Sequence, residues 1–294
     1  MMRNVHTVTC RLCLICMIVA DLFLPPAKAE TQDSFDIAGL LLLAAKAGTQ
    51  DSFDMTAGGG VLYGPVDGVL QTPNGGRETT TSHRRPTLDE LGIDQTSSVD
   101  FWMDAHWRRH GLYGGGRLIR FSGEDTLEVP LLSQSKTFAA GALVEADVKF
   151  DWYRLGYRYR IPCEWDDRTV EFYPSVGFAI MDFHYQLSSS GLDDVDRSYS
   201  KGGVQVGLGV DFPVTNKLGL SARVLWPVAL SNCPEIYSAQ LAVKYLFLER
   251  KDLAVSGLLG IAYDEICYED NQDEPNHVEL EMGPMLLASV LVNF

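Results

Sequence analysis

Residues 278–294, VELEMGPMLLASVLVNF, constrain this chain more than any other stretch. Every even position is apolar: Val278, Leu280, Met282, Pro284, Leu286, Ala288, Val290, Val292 and Phe294. The odd positions are mixed, with Glu279, Glu281, Gly283, Ser289 and Asn293 among Met285, Leu287 and Leu291. A repeat of two belongs to a β-strand whose faces meet different surroundings. In a soluble protein so long an apolar face needs a second sheet to cover it. Against hydrocarbon it needs none.

The same alternation recurs from Ser97 onward, broken by turn-forming clusters. Val99, Phe101, Met103, Ala105 and Trp107 alternate with Asp100, Trp102, Asp104 and His106. Comparable patterns run through 204–212, 218–226, 237–247 and 253–263, whereas the facing of 112–122 is ambiguous. Within 139–162 the apolar phase slips. Val148, Phe150 and Trp152 share a face before the slip; Tyr153, Leu155, Tyr157, Tyr159 and Ile161 share one after it. A β-bulge between Trp152 and Tyr153 would produce this, as would a hairpin at Phe150-Asp151. Nine strands follow Ser97, and a tenth is expected at about 57–66, with a short helical candidate at Pro86–Gly92.

With its terminal aromatic residue, this pattern resembles the outer-membrane β-barrel proteins of Gram-negative bacteria, small porin-like or structural barrels. The resemblance implies an all-β fold, a transmembrane antiparallel up-and-down barrel of about ten strands, with eight the neighbouring possibility. It implies residence in the cell outer membrane, contact with outer-membrane lipid, and Phe294 as the signal read by the barrel assembly machinery. Loop lengths orient such a barrel. The turns at 108–111, 213–215 and 249–252 are short and expected to be periplasmic, and those at 123–138, 187–197 and 268–277 are long and expected outside. Trp107, Phe172, Phe212, Phe247 and Phe294 would form the periplasmic aromatic girdle; in a secreted soluble β-sandwich, the alternative class, they would be core.

The amino terminus reads as an export signal. Arg3 and Arg11 precede the apolar run Leu12 to Leu24, followed by Pro25-Pro26 and Ala27-Lys28-Ala29. AKAETQDSFDI at 27–37 recurs as AKAGTQDSFDM at 45–55, a local duplication that creates a second A-x-A site. Cleavage is expected after Ala29, with Ala47 the alternative. Residues 30–56 are read as a flexible segment and 57–294 as the barrel. The full chain carries 24 basic and 39 acidic residues, a formal charge of −15, and loss of 1–29 would leave −17. Nucleic-acid binding needs a basic face, so it is not expected. No run of 18 or more apolar residues follows the amino-terminal segment, which argues against helical membrane spans.

Cys10, Cys13 and Cys16 fall in the apolar export segment and are read as part of it rather than as a metal or redox site. Of the others, Cys233 and Cys267 fall at neighbouring strand tops and are candidates for a disulfide, leaving Cys163 alone.

Alternation assigns a set of charges to the bore: Asp100, Asp104, His106, Arg154, Arg158, Arg160, Glu171, Asp211, Arg223, Lys244, Asp264, Glu279 and Glu281. A ten-strand interior is narrow, and desolvated charges must be paired there. These residues are therefore expected to pair across the lumen and plug it. The alternative is a narrow path for ions or small solutes along Arg154, Arg158 and Arg160. A lipid-acting enzyme is the third reading, resting on His184 with Ser188, Ser189 and Ser190; no H-E-x-x-H or G-x-S-x-G motif supports it. The acidic clusters Asp193, Asp194, Asp196 and Glu269, Asp270, Asp273, Glu274 lack the glycine spacing of an EF-hand and are read as solvated loops. No cofactor or metal is expected. The role expected first is structural or surface interaction, with a largely plugged lumen.

Overall fold

The computed structural model describes residues 53–71, 85–134, 136–192, 194–251, 253–271 and 275–294. The expected signal peptide, both cleavage sites and the first copy of the duplicated segment lie outside the described residues, as do Asp193, Asp273 and Glu274. Among the described residues there are thirteen strands: β1 (Phe53–Gln71), β2 (Gln95–Trp107), β3 (His110–Thr126), β4 (Leu131–Ser133), β5 (Lys136–Phe138), β6 (Leu143–Tyr159), β7 (Ile161–Trp165), β8 (Arg168–Ser188), β9 (Val195–Pro213), β10 (Leu218–Val228), β11 (Glu235–Arg250), β12 (Leu253–Glu269) and β13 (His277–Asn293). β4 and β5 form a separate hairpin in the loop after β3. The rest pair in the order β6-β3-β2-β1-β13-β12-β11-β10-β9-β8-β7, and β6 also pairs with β8, which closes the sheet. β7 continues β6 past Arg160 and pairs only with β8. Ten staves result, as expected. The first begins at Phe53, so strand structure reaches into the segment expected to be flexible.

A membrane-spanning β-strand needs about 9–11 residues. β10 has 11, but β6 has 17, β9 has 19 and β8 has 21. Much of the surplus projects beyond the end bearing the long loops, although β8 also extends at the other end, where Arg168–Phe172 pair with β7; at the long-loop end the polarity of the wall inverts. β6 shows it most plainly. Val144, Ala146, Val148, Phe150 and Trp152 are buried inside, with Arg154 and Arg158 below them on the same face. Outside, Glu145, Asp147, Lys149 and Asp151 give way to Tyr153, Leu155 and Tyr157. The register against β3 runs unbroken from Thr126↔Leu143 to His110↔Tyr159, and that against β8 from Ser188↔Glu145 to Ser175↔Arg158. The slip at Trp152/Tyr153 is therefore neither a bulge nor a hairpin. The strand is regular, and what changes is the medium outside it. β8 behaves alike, with Val176, Phe178 and Ile180 exposed below Asp182 and His184, and Met181, Phe183, Tyr185 and Leu187 buried within.

β13 is the converse. Its alternation is unbroken in sequence, yet its backbone shifts phase. Between the pairs Met285↔Ala262 and Met282↔Asp264, β12 advances two residues and β13 three. Against β1, between Leu286↔Tyr63 and Met282↔Val66, the count is three to four. One extra residue in β13 relative to both neighbours is a β-bulge. It sits at Gly283-Pro284, where Gly283 has φ 127°, and a Cβ there would stand 2.8 Å from the Ala262 carbonyl oxygen. Beyond the bulge Leu286, Ala288 and Val290 face outward, as expected. Before it Val278, Leu280 and Met282 are buried inside, at 0–2% exposure. Glu279 and Glu281, expected in the bore, stand on the outer face.

The upper interior is an apolar core. Phe150, Trp152, Phe183, Ile266, Val278 and Leu280 meet there, joined by Leu127, Leu131 and Phe138 from the β3–β6 connection. Burying a side chain of this size is worth roughly 1.5–3 kcal/mol each. The helical candidate becomes one turn of 3-10 helix, Asp89–Leu91. Thr87 Oγ1 accepts from Glu90 N at 3.2 Å, and Glu90 Oε2 accepts from Thr87 N at 3.1 Å, a reciprocal capping pair. Leu88, Leu91 and Ile93 are thereby driven into the barrel mouth, at 0–1% exposure.

Candidate functional site

The membrane-level interior holds the charges. β3 supplies Arg117, wholly buried, which donates from Nη2 to Asp100 Oδ2 of β2 at 3.0 Å and from Nη1 to Asp264 Oδ2 of β12. This bridge crosses the bore, since β2 and β12 are separated by β1 and β13 around the wall. Asp100 Oδ1 accepts a second guanidinium, Arg154 Nη2, at 3.2 Å. A step of two residues along β6 places Gly156 next on the same face, and two residues further Arg158 Nη2 meets Asp104 Oδ1 at 2.6 Å. The cations also stack on rings: Arg117 and Arg154 lie 5.6 and 4.8 Å from the Trp152 centroid, and Arg158 lies 4.9 Å from that of Tyr113. Desolvated guanidinium groups over aromatic faces gain from the ring quadrupole.

Exposure is greater toward the end bearing the short turns. The Arg117 side chain is 0% exposed, Arg154 14%, Arg158 13% and Arg160 22%. Arg160 reaches Glu171 at 3.7 Å, near the rim. Asp211 accepts from Ser221 Oγ at 2.7 Å, and Arg223 and Lys244 take inward positions on β10 and β11, Lys244 opposite Gly219. His106 is buried inside near Gly111, and its ring lies 6.0 Å from that of Tyr173. Beside these groups the bore keeps a cavity of about 70 Å³, lined by Trp102, Tyr113, Arg154, Arg158, Arg223 and Gln240 among others.

Of the thirteen charges expected inside, the structure thus brings eleven there and turns Glu279 and Glu281 outward. Glu279 instead contacts His277 Nε2 at 2.7 Å on the rim. The residue that ties the network together, Arg117, was not among them. It follows Gly114-Gly115-Gly116, where the sequence has no side chains to show which face is which. The one available signal was Arg117 lying an even number of residues from Tyr113 and Ile119.

The Cys233–Cys267 disulfide is not formed; Cys163, Cys233 and Cys267 are free. Cys267 projects outward on β12 between Glu235 and Glu279 in cross-strand register. Cys233 packs in its turn over Gly203, an inward-facing position of β9, with 3.9 Å between its Cβ and a Cβ built there. Cys233 Cβ thus lies toward the inner face of the wall, whereas Cys267 stands on the outer face. Burial, with Glu265, Glu279 and Glu235 adding to it, pushes the Cys267 thiol up to about 11.

His184 faces outward above the apolar band, opposite Ser198 and 3.7 Å from Asp196. Its proposed serine partners are not brought to it. Ser188 stands four residues on, about 13 Å along a strand, and Ser189 Oγ donates to the Leu143 carbonyl at 2.7 Å.

No protein-family model matches the chain. No curated protein matches it either. Among solved structures it is similar to Ail, the attachment invasion locus protein of Yersinia pestis, in complex with the heparin analogue sucrose octasulfate, at 13% identity over 83% of this chain and 99% of that one, with a TM-score of 0.36. Similar too are the outer membrane protein OprG from Pseudomonas aeruginosa (9%, 84% and 98%, TM-score 0.36) and the outer membrane protease OmpT from Escherichia coli (10%, 83% and 99%, TM-score 0.37). These likenesses transfer no residue roles. The barrel stands on this chain's own closed register and on the polarity of its wall.

Proposed function

We propose that this chain is an outer-membrane barrel with a structural or surface-interaction role, its bore closed to passage from one side to the other. The observation that carries this reading is the stacking of two seals. The Asp100–Arg117–Asp264 bridge spans the lumen at membrane level with no exposure at its arginine. Above it lie Trp152, Phe150, Phe183 and Val278, all at 0% exposure. An ion crossing this region would have to break a buried ion pair and then shed its hydration among apolar side chains, each step costing several kcal/mol. The outer half, with its acidic outside wall, would be the surface offered to partners, and Phe294, whose N donates to Met55 O at 2.8 Å, the residue offered to the assembly machinery. Reconstitution of the folded protein in a planar bilayer tests the closure. Silence is expected. Discrete conductance steps in membranes that are quiet without protein would overturn it.

A further inference from the structure

We infer that the lower bore is a blind pocket for a small tetrahedral oxyanion such as phosphate or sulfate, entered from the end bearing the short turns. This goes beyond the closed-barrel reading, which asks nothing of the cavity below the seal.

The first support is charge. Asp100, Asp104 and Asp264 face four guanidinium groups, of Arg117, Arg154, Arg158 and Arg223. The first three arginines are all paired within this set, Arg117 to both Asp100 and Asp264, Arg154 to Asp100 and Arg158 to Asp104. Arg223 lines the same cavity with no carboxylate at ion-pair distance among the described residues. Asp211, the nearest acidic residue along the sheet, engages the Ser221 hydroxyl instead. A cation held in a confined, largely protein-walled space with no carboxylate in direct contact favours an anion beside it.

Hydrogen bonding is the second and independent support. Trp102 Nε1, Arg158 Nε and Gln240 Nε2 are buried with no acceptor among the described residues, and all three residues line this cavity. Each is a donor, so what they lack is an acceptor. A tetrahedral oxyanion offers several acceptor oxygens at once and matches the fork of a guanidinium. A space of about 70 Å³ suits an ion of that size and excludes a large organic anion. Access is shown by the residual exposure of Arg154 and Arg158, and the lack of exit by Trp152 and Arg117 above them.

The full chain, refolded in detergent, is titrated calorimetrically with inorganic phosphate at low ionic strength, with sulfate as a second probe. Saturable one-site binding is expected, weakened at least tenfold by Arg223→Gln and several-fold by Gln240→Leu, and unchanged by Arg120→Gln on the outer face. Absence of saturable binding by protein whose gel migration is heat-modifiable, and hence folded, overturns the inference. So does binding that neither interior substitution weakens. If Arg223→Gln loses heat-modifiable migration, Gln240→Leu, which removes no charge, decides the matter. The bilayer measurement keeps the two readings apart: conductance would remove the blind end without touching phosphate affinity, and loss of binding would leave a silent barrel silent.

Discussion

The lower and upper halves of this barrel are built from the same strands with opposite polarity. At membrane level Leu155, Phe178, Leu259 and Leu286 point out, at 58–68% exposure, and Asp100, Arg117 and Asp264 point in. Above, Glu145, Asp147, Asp182 and Glu265 point out while Phe150, Phe183, Ile266 and Leu280 point in. A single backbone serves both halves because a strand presents two faces and is indifferent to which is apolar. Hydrocarbon outside selects apolar residues outside and leaves the polar remainder to pair within. Water outside reverses the choice, and the upper half then has the ordinary core of a soluble protein. Among the described residues of the outer wall above the apolar band, carboxylates such as Glu145, Asp147, Asp182 and Glu265 predominate and cost little to expose.

The largest effect expected from breaking this contrast is at Arg117. Arg117→Leu strands Asp100 and Asp264 in the bore and should cost about 3–5 kcal/mol. Arg120→Leu, which removes the half-exposed pair with Asp151 on the outer wall, should cost at most about 1 kcal/mol. Urea titration of heat-modifiable migration compares the two; equal losses would refute the division into a sealed interior and a wetted exterior. Next comes the position of the boundary. Leu155→Arg, on the lipid side, should destabilise by about 2–4 kcal/mol, and Asp147→Arg, eight residues back on the same face of β6, by no more than about 0.5 kcal/mol. A costly Asp147→Arg would place hydrocarbon higher than the polarity inversion does. The smallest effect is chemical. With its thiol pushed up to about 11, Cys267 should label more slowly at pH 8 than the exposed Cys163, gaining about tenfold in rate for each pH unit up to that value. Labelling of Cys267 as fast as Cys163 at pH 8 would mean that its carboxylate neighbours and burial do not hold the thiol protonated.

Much of the lower half was legible in the sequence. Alternation in β2, β9, β10, β11 and β12 located the strands, and the charges read as internal were so for Asp100, Asp104, Arg154, Arg158 and Asp264. The errors lie where the two halves meet. At Trp152/Tyr153 a change of medium looked like a change of backbone, and at Gly283-Pro284 a change of backbone was hidden because the medium changed with it. In β13 the bulge and the inversion cancel, so the even positions stay apolar from end to end, and Glu279 and Glu281 were assigned to the wrong side. Arg117 was missed for a different reason: three glycines in a row carry no alternation.

By itself, the amino-acid order determined that the chain alternates, how many strands it makes and where they turn, because those follow from local contrast between neighbouring residues. Which side of each strand is the inside was settled only when the sheet closed. Alternation records that two surroundings differ and never which is which, and only closure puts Arg117 of β3 between aspartates of β2 and β12.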